Sequence, residues 1–350
     1  FKDPSLKEHR KTLVGNLLDE LVDSTEVTIK PLCSTGIYAR IVDSANCIDP
    51  LVTIKPKWAL RKELLNQYKN VSFNDEGLIM ENKSLISFLK GHSKAIIAME
   101  RLDDSIISSL PELKVISKYG VGLDMIDLVS LRKHQKKLGW TQGVNKRSVS
   151  ELTLTLIISL LRNVTYSNNQ IKNGVWRQNI GNNLTGKKVG IIGCGNIGKD
   201  LVKILKPFNC NILVNDIVDF PDFYKLHNIT PVDIEKLLSE SDIITLHVPL
   251  NDKTKNILNS DKLRLIKSDA ILINTARGGL VDENFLKKML INNNLRAAAF
   301  DVFTEEPPRD YQLINLPNFV STPHIGGSSD EAILAMGRAA IEGLDNNFIP

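Results

Sequence analysis

Cysteine is scarce in this 350-residue chain: only Cys33, Cys47, Cys194 and Cys210 are present. They form no C-x-x-C pair and join no Cys/His cluster with zinc spacing, so no metal site is expected. Free thiols fit a reducing cytoplasm. Long hydrophobic runs are also missing. The longest, "LTLTLIISLL" at 152–161, is short and broken by Thr and Ser, which excludes a transmembrane helix and a membrane partner. No signal-peptide pattern opens the chain. A surplus of one charge is absent too, with 44 Lys and Arg against 40 Asp and Glu and a net charge of +4. Both signs are interleaved. The densest basic run, "LRKHQKKLG" at 131–139, reads as a solvated helix end rather than a nucleic-acid patch. There is no solenoid repeat and no low-complexity tract. What is present is ordinary: 42% hydrophobic and 24% charged residues, enough for a real core, in a length that implies two domains.

Residues 1–45 give a weak pattern, with helical spacing at 13–22 and a strand-like run at 26–33. From 46 the pattern settles into alternation. "LVTIK" (51–55) reads as a strand, 58–68 as an amphipathic helix, 84–92 as a helix and 94–99 as a strand. A short helix at 103–113 and a strand at 114–120 follow. "SVSELTLTLIISLLRN" (148–163) is the clearest helix, opened by Ser148 with Glu151 three residues on. Apolar on most sides, it belongs at a domain or subunit junction. A polar loop at 168–186 precedes strands at 188–193, 211–215, 242–247, 270–274, 296–300 and 319–321. Helices are expected near 196–206, 233–238, 260–265 and 282–292. Strands alternating with helices define an α/β fold with parallel sheets, the second half being a full doubly wound sheet.

"GIIGCGNIGKD" places Gly193, Gly195 and Gly198 in G-x-G-x-x-G spacing. Alone this is a weak signal. Here it follows an apolar strand and opens a helix, whose free N–H groups and dipole suit a pyrophosphate. The next strand, "NILVN", ends at Asp216, where a carboxylate can accept the adenosine ribose hydroxyls and repel a 2′-phosphate. No Arg follows at 217–219, so the cofactor is expected to be NAD rather than NADP.

Three later stretches put unusual residues at strand ends. Arg277 follows the strand in "INTARGGLVDE". Asp301, Glu305 and Glu306 follow the strand in "AAAFDVFTEEPP". His324 sits in "NFVSTPHIGG". Carboxyl ends of strands line the ligand crevice of such a sheet. An Arg–Glu–His set fits hydride transfer to a 2-oxo acid. Arg offers a bidentate fork to the substrate carboxylate, His exchanges the hydroxyl proton, and a carboxylate holds the ring and raises its pKa.

These motifs, together with "KYGVGLDMID" (118–127) and "GVNKRSVSEL" (143–152), resemble the D-isomer-specific 2-hydroxyacid dehydrogenase family over roughly residues 75–345. The similarity runs to its phosphoglycerate dehydrogenase-like branch. It implies catalytic roles for Arg277, Glu306 and His324. Glu306 rather than Glu305 matches the family glutamate, because it directly precedes proline; a formate-dehydrogenase-like relative would carry Gln. It implies cofactor contacts at Asn196, Ile197, Asp216, Thr275, Ala276, Asp301 and the Gly326–Gly327 turn. Val121 and Gly122 match a loop whose N–H groups face the substrate carboxylate. The implied architecture is a Rossmann NAD-binding domain, residues 147–322, inserted into a flavodoxin-like substrate domain made of 46–146 and 323–350, after an N-terminal extension, 1–45. Helix 148–163 resembles the family's dimer-forming element, so a homodimer is expected. The implied substrate is a D-2-hydroxy acid or its 2-oxo acid, with 3-phosphoglycerate as a specific candidate. Lys118, Lys146 and Arg147 are placed to hold a phosphate, the alternative being a structural Arg147 and solvated lysines. The chain ends shortly after the return helix, which matches members without a C-terminal regulatory domain. Where the family often has Pro-Phe, this chain has "TQGVNKRS". The competing class on the same fold is an NAD(H)-sensing, corepressor-like binding protein.

Overall fold

The computed structural model describes residues 50–350 except 76 and 79, with side chains from residue 58 onward. The expected extension 1–45, its helix at 13–22, its strand at 26–33, and Cys33 and Cys47 lie outside the described residues. The described chain opens with helix α1, Pro50–Gln67. The strand expected at 51–55 is therefore the first turns of this helix. Val, Thr and Ile disfavour helix by only about 0.5 kcal/mol each, and Pro50 occupies a first-turn position that needs no N–H. Burial of Leu60 and Leu64 further along the same helix decides the matter.

Helix α2 (Lys83–Leu89), strand β1 (Lys94–Ile97), helix α3 (Asp104–Ser108), strand β2 (Val115–Lys118), helix α4 (Leu128–Lys133) and strand β3 (Lys137–Gly139) follow. The three strands form a parallel sheet in the order β1-β2-β3, with Ile97 beside Lys118 and Ile116 beside Leu138. Asp103 and Asp127 cap α3 and α4 through hydrogen bonds from two backbone N–H groups each. The basic run at 131–139 is only partly a helix end. Lys136 is buried, its ammonium donating to the carbonyls of Leu110 and Pro111, and the next three residues are β3.

Helix α5 is Lys146–Leu161, begun by Asn145 rather than Ser148, which lies within its first turn. It buries one face, including Val149, Leu156, Ile157 and Leu160. Helix α6, Val164–Lys172, occupies the start of the expected polar loop and buries no residue. Strands β4 (Lys188–Ile192), β5 (Asn211–Asn215), β6 (Thr230–Pro231), β7 (Ile243–Leu246), β8 (Ile271–Asn274), β9 (Ala297–Phe300) and β10 (Phe319–Ser321) make one parallel sheet. Its order is β10-β9-β8-β7-β4-β5-β6. Helices α7 (Asn196–Leu205), α8 (Pro221–His227), α9 (Ile234–Glu240), α10 (Ser260–Leu263), α11 (Glu283–Ile291) and α12 (Tyr311–Ile314) link the strands. Alternate strand residues feed two cores. Ile192, Ile244 and Leu272 pack on one face, and Ile191, Ile243 and Ile273 on the other. Edge strand β6, two residues long, is too short for any periodicity to reveal.

Strand order reverses at β4, which has β5 on one side and β7 on the other. That is the switch point where a doubly wound sheet opens a crevice at its carboxyl edge. After β10 the chain enters helix α13, Asp330–Glu342, and returns to the three-stranded sheet. Ser117 Oγ donates to Ala340 O at 2.6 Å, and Leu138 exchanges backbone hydrogen bonds with Phe348. A side chain on Gly139 would stand 2.0 Å from Gly343 O, so bare backbones make this contact. No described helix is long and apolar enough to cross a membrane.

Candidate active site

The glycine loop leaves β4 at the switch point, and each of its glycines has its own physical reason. Gly193 has φ +101°, and a Cβ there would lie 2.6 Å from His247 O. A Cβ on Gly198 would lie 2.2 Å from Gly193 O, so helix α7 packs directly on the loop. Gly195 differs, because a Cβ there would meet nothing within 4 Å. No neighbour among the described residues demands that glycine; it leaves open the approach to the amino end of α7, which no side chain caps. This is the fit a pyrophosphate requires. Asn196 begins α7 and lies under Gly143 of the "TQGVNKRS" loop, where a Cβ would come within 2.6 Å of Asn196 Cγ. Ile197 O accepts from Ser150 Oγ of α5 at 3.3 Å.

Asp216 stands just past β5. Its carboxylate accepts from Cys194 N at 2.5 Å and Val218 N at 2.8 Å, which fixes it beside the loop. Beneath the loop lies His247, a residue that sequence reading passes over. It is fully buried, bonded through Nε2 to Thr245 Oγ1 at 3.0 Å, and burial pushes its pKa down to about 3. It is a neutral packing residue. Thr275 Oγ1 is buried against Thr153 Oγ1 of α5 at 2.8 Å, and Ala276 is buried beside it.

Asp301 stands just past β9 as a buried carboxylate. Thr322 Oγ1, Ile325 N and Gly326 N donate to it at 2.6, 2.7 and 2.8 Å. Burial pushes its carboxyl above the ordinary range, against the pull of those three bonds. The bonds staple the turn that carries His324, whose φ is +55°. A left-handed conformation costs a non-glycine residue about 1–2 kcal/mol, so the surrounding bonds must hold it there. Gly326 and Gly327 complete the turn against Asp301 and Asn145.

His324 Nδ1 meets Glu306 Oε2 at 2.8 Å. That hydrogen bond raises the imidazole pKa above its usual value, while burial opposes it. Burial pushes the Glu306 carboxyl up, but the His324 bond and charge outweigh it and leave it below the usual range. Both partners therefore favour the charged pair. Nε2 of His324 has no hydrogen-bond partner among the described residues. Glu305 lies outside this pair and bonds Arg309 at 2.7 Å on the surface.

Arg277 follows β8 through a turn shaped by Asn274, which accepts from Ala276 N and donates to Arg277 O. Its Nε donates to Asp124 Oδ2 at 2.8 Å and its Nη1 to Ala276 O at 2.7 Å. Nη2 lies against Gly122, where a Cβ would be 1.9 Å away. Val121, one residue earlier, accepts at its carbonyl from Trp140 Nε1 at 3.0 Å. The structure thus brings Arg277 to the 121–122 loop, with its charge felt at His324 and Glu306. Lys118, at the end of β2, is buried rather than solvated. Its ammonium donates to Ala98 O, and burial pushes its pKa down to about 8. Arg147 pairs with the buried Asp200 at 3.0 Å, tying α5 to α7, and Lys146 is exposed. Sequence reading misses Asp124, Trp140 and Thr153, since none belongs to a local pattern that announces its partner. Among the described residues no group of His, Cys, Asp and Glu could hold a metal.

A doubly wound sheet, a fitted dinucleotide loop and a hydrogen-bonded His–Glu pair beside an arginine fit a dinucleotide-dependent oxidoreductase class. The comparisons give the family. Residues 154–326 match the D-isomer specific 2-hydroxyacid dehydrogenase, NAD binding domain, model. The chain is 39% identical over 240 residues to the D-3-phosphoglycerate dehydrogenase of Methanocaldococcus jannaschii, covering 68% of this chain and 46% of that one. It is 37% identical over 246 residues to the hydroxypyruvate reductase of Thermotoga maritima, covering 68% and 78%. The chain thus spans about half the length of the first relative and most of the second. The solved structure of the TT0316 protein of Thermus thermophilus superposes with TM-score 0.73 at 30% identity, covering 81% of this chain and 92% of that one. The chain belongs to the D-isomer-specific 2-hydroxyacid dehydrogenase family, and its cofactor is NAD.

Proposed function

We propose that this protein interconverts a D-2-hydroxy acid and its 2-oxo acid, with 3-phosphoglycerate and 3-phosphohydroxypyruvate as the pair it serves. The observation that carries the reaction is the charged His324–Glu306 pair facing Arg277 at the carboxyl edge of the sheet. Bound NAD supplies a hydride acceptor and NADH a hydride donor. In the reducing direction His324 Nε2 gives a proton to the oxygen of the 2-oxo group, and in the oxidising direction it takes that proton back. Glu306 keeps the proton on the far side of the ring and stabilises the imidazolium. Arg277 binds the substrate carboxylate and polarises the adjacent carbonyl, assisted by the N–H groups of Val121 and Gly122. Asp216 receives the adenosine ribose; Asn196, Ile197, Thr275, Ala276 and the Gly326–Gly327 turn line the cofactor's path.

The phosphorylated substrate is supported by Lys118, a second cation buried beside the Arg277 loop. We read residues 147–322 as the NAD-binding domain, inserted between the two parts of a substrate domain. We read the protein as a homodimer. Beside α5 and α6, Val164, Ile171, Trp176 and Ile180 are exposed, Trp176 at 87% and Ile180 at 96%, an apolar surface suited to a second copy.

The test is NADH oxidation by the purified chain against a panel of 2-oxo acids that pairs 3-phosphohydroxypyruvate with hydroxypyruvate and includes glyoxylate. Preference for the phosphorylated acid supports the full reading. Preference for an unphosphorylated acid keeps the reaction and removes the phosphoglycerate assignment. NADH binding with no turnover of any acid would move the chain to the NAD(H)-sensing class.

A further inference from the structure

Four charged side chains converge where β1, β2 and β8 end: Glu100, Lys118, Asp124 and Arg277. An anionic substrate gains from the two cations. The carboxylate of Asp124 stands against that gain, since it is a negative charge placed where another must bind. Its geometry gives a reason for it. A guanidinium is a rigid planar fork, and two fixed nitrogens define its plane. Asp124 Oδ2 holds Nε at 2.8 Å, and Ala276 O holds Nη1 at 2.7 Å. Nη2 is the nitrogen left, and it lies on the Gly122 side, where a Cβ would be 1.9 Å from Nη2 and 2.8 Å from Asp124 Oδ2.

We propose that Asp124 is a positioning residue, which turns the Arg277 fork so that Nη2 faces the substrate carboxylate. This rests on the reading of Arg277 as the residue that binds that carboxylate. Gly122 is the space that lets the arrangement form. Both side chains of the pair are about one-third exposed, at 32% and 37%, so the pair adds little to the stability of the fold. Removing the acid therefore disturbs aim rather than folding.

The experiment measures binding of oxamate, a non-reacting 2-oxo acid analogue, to the full chain with NADH bound, by quenching of NADH fluorescence. D124N weakens oxamate binding by about tenfold to a hundredfold, the range expected for a misplaced binding group. NADH affinity and melting temperature stay unchanged. D124E recovers part of the loss. In an R277K background D124N adds nothing further, because the group it aims is gone. If R277K weakens oxamate and D124N does not, the proposal fails and the Arg277 reading stands. Tighter oxamate binding by D124N also overturns it, since the acid would then act only by repulsion. If R277K leaves oxamate binding intact, or the wild-type chain binds none, the Arg277 reading falls and the proposal falls with it.

Discussion

Replacing Glu306 by Gln tests the acid–base pair directly, because Gln keeps the shape and removes the charge. The hydrogen bond to His324 is 2.8 Å long, and such charge-assisted bonds contribute about 1.5–3 kcal/mol. The two side chains keep 42% and 36% of their exposure, so water screens the pair and the low end applies. About 1.4 kcal/mol is tenfold in an equilibrium constant. In the wild type Glu306 raises the imidazole pKa, so the protonated ring persists to higher pH. Reduction of a 2-oxo acid needs that protonated ring, and its rate declines as pH rises through the pKa. In Glu306→Gln the decline begins at lower pH, and on the alkaline side the protonated population is about tenfold smaller. Oxidation of the hydroxy acid needs the neutral ring, so its rising limb also moves to lower pH. Initial rates of NADH consumption and formation across about pH 5 to 9 measure both limbs. NADH affinity, from fluorescence, is unchanged. If the rate falls by one factor at every pH and neither limb moves, Glu306 acts through packing and the reasoning fails.

Asp216→Ala removes the acceptor for Cys194 N and Val218 N and the partner for the ribose hydroxyls. NADH binding should weaken about tenfold, and the discrimination against NADPH should shrink; unchanged selectivity in a fluorescence titration would exclude Asp216 as the selector. Burial pushes the Lys118 pKa down to about 8, so its positive charge is lost as pH rises through that value. The KM for 3-phosphohydroxypyruvate should rise there, the KM for hydroxypyruvate should not, and Lys118→Met should abolish the difference. Sedimentation velocity should find a dimer, and Trp176→Glu combined with Ile180→Glu should give a monomer that still binds NADH.

Local chemistry made much of this readable from sequence. The glycine loop, its entering strand and Asp216 fall within 29 residues, and each obeys a spacing rule that a turn or a strand end imposes. The central strands β7, β8 and β9 of the large sheet announce themselves because both faces are covered and their residues are almost all apolar. Failures occurred where tertiary packing outvoted local preference. Val52, Thr53 and Ile54 favour a strand, yet they lie in α1. Lys136 is charged, yet it is buried, because its ammonium reaches two carbonyls at the end of another element. In the site, His324, Glu306 and Arg277 were visible as residues at strand ends. Asp124 was not, since its partner is 153 residues away and nothing local marks the pair.

The left-handed turn at His324 sets the site against the fold that carries it. Glycine adopts φ +55° without strain, so His324→Gly would relieve about 1 kcal/mol of backbone strain while deleting the proposed proton carrier. The most comfortable backbone for this turn is one without a side chain. On backbone strain alone the turn would favour glycine, whereas the imidazole recovers that cost through its hydrogen bond to Glu306. A stability-guided redesign of this chain would therefore need to hold position 324 fixed, together with Asp301, whose three hydrogen bonds keep the turn closed.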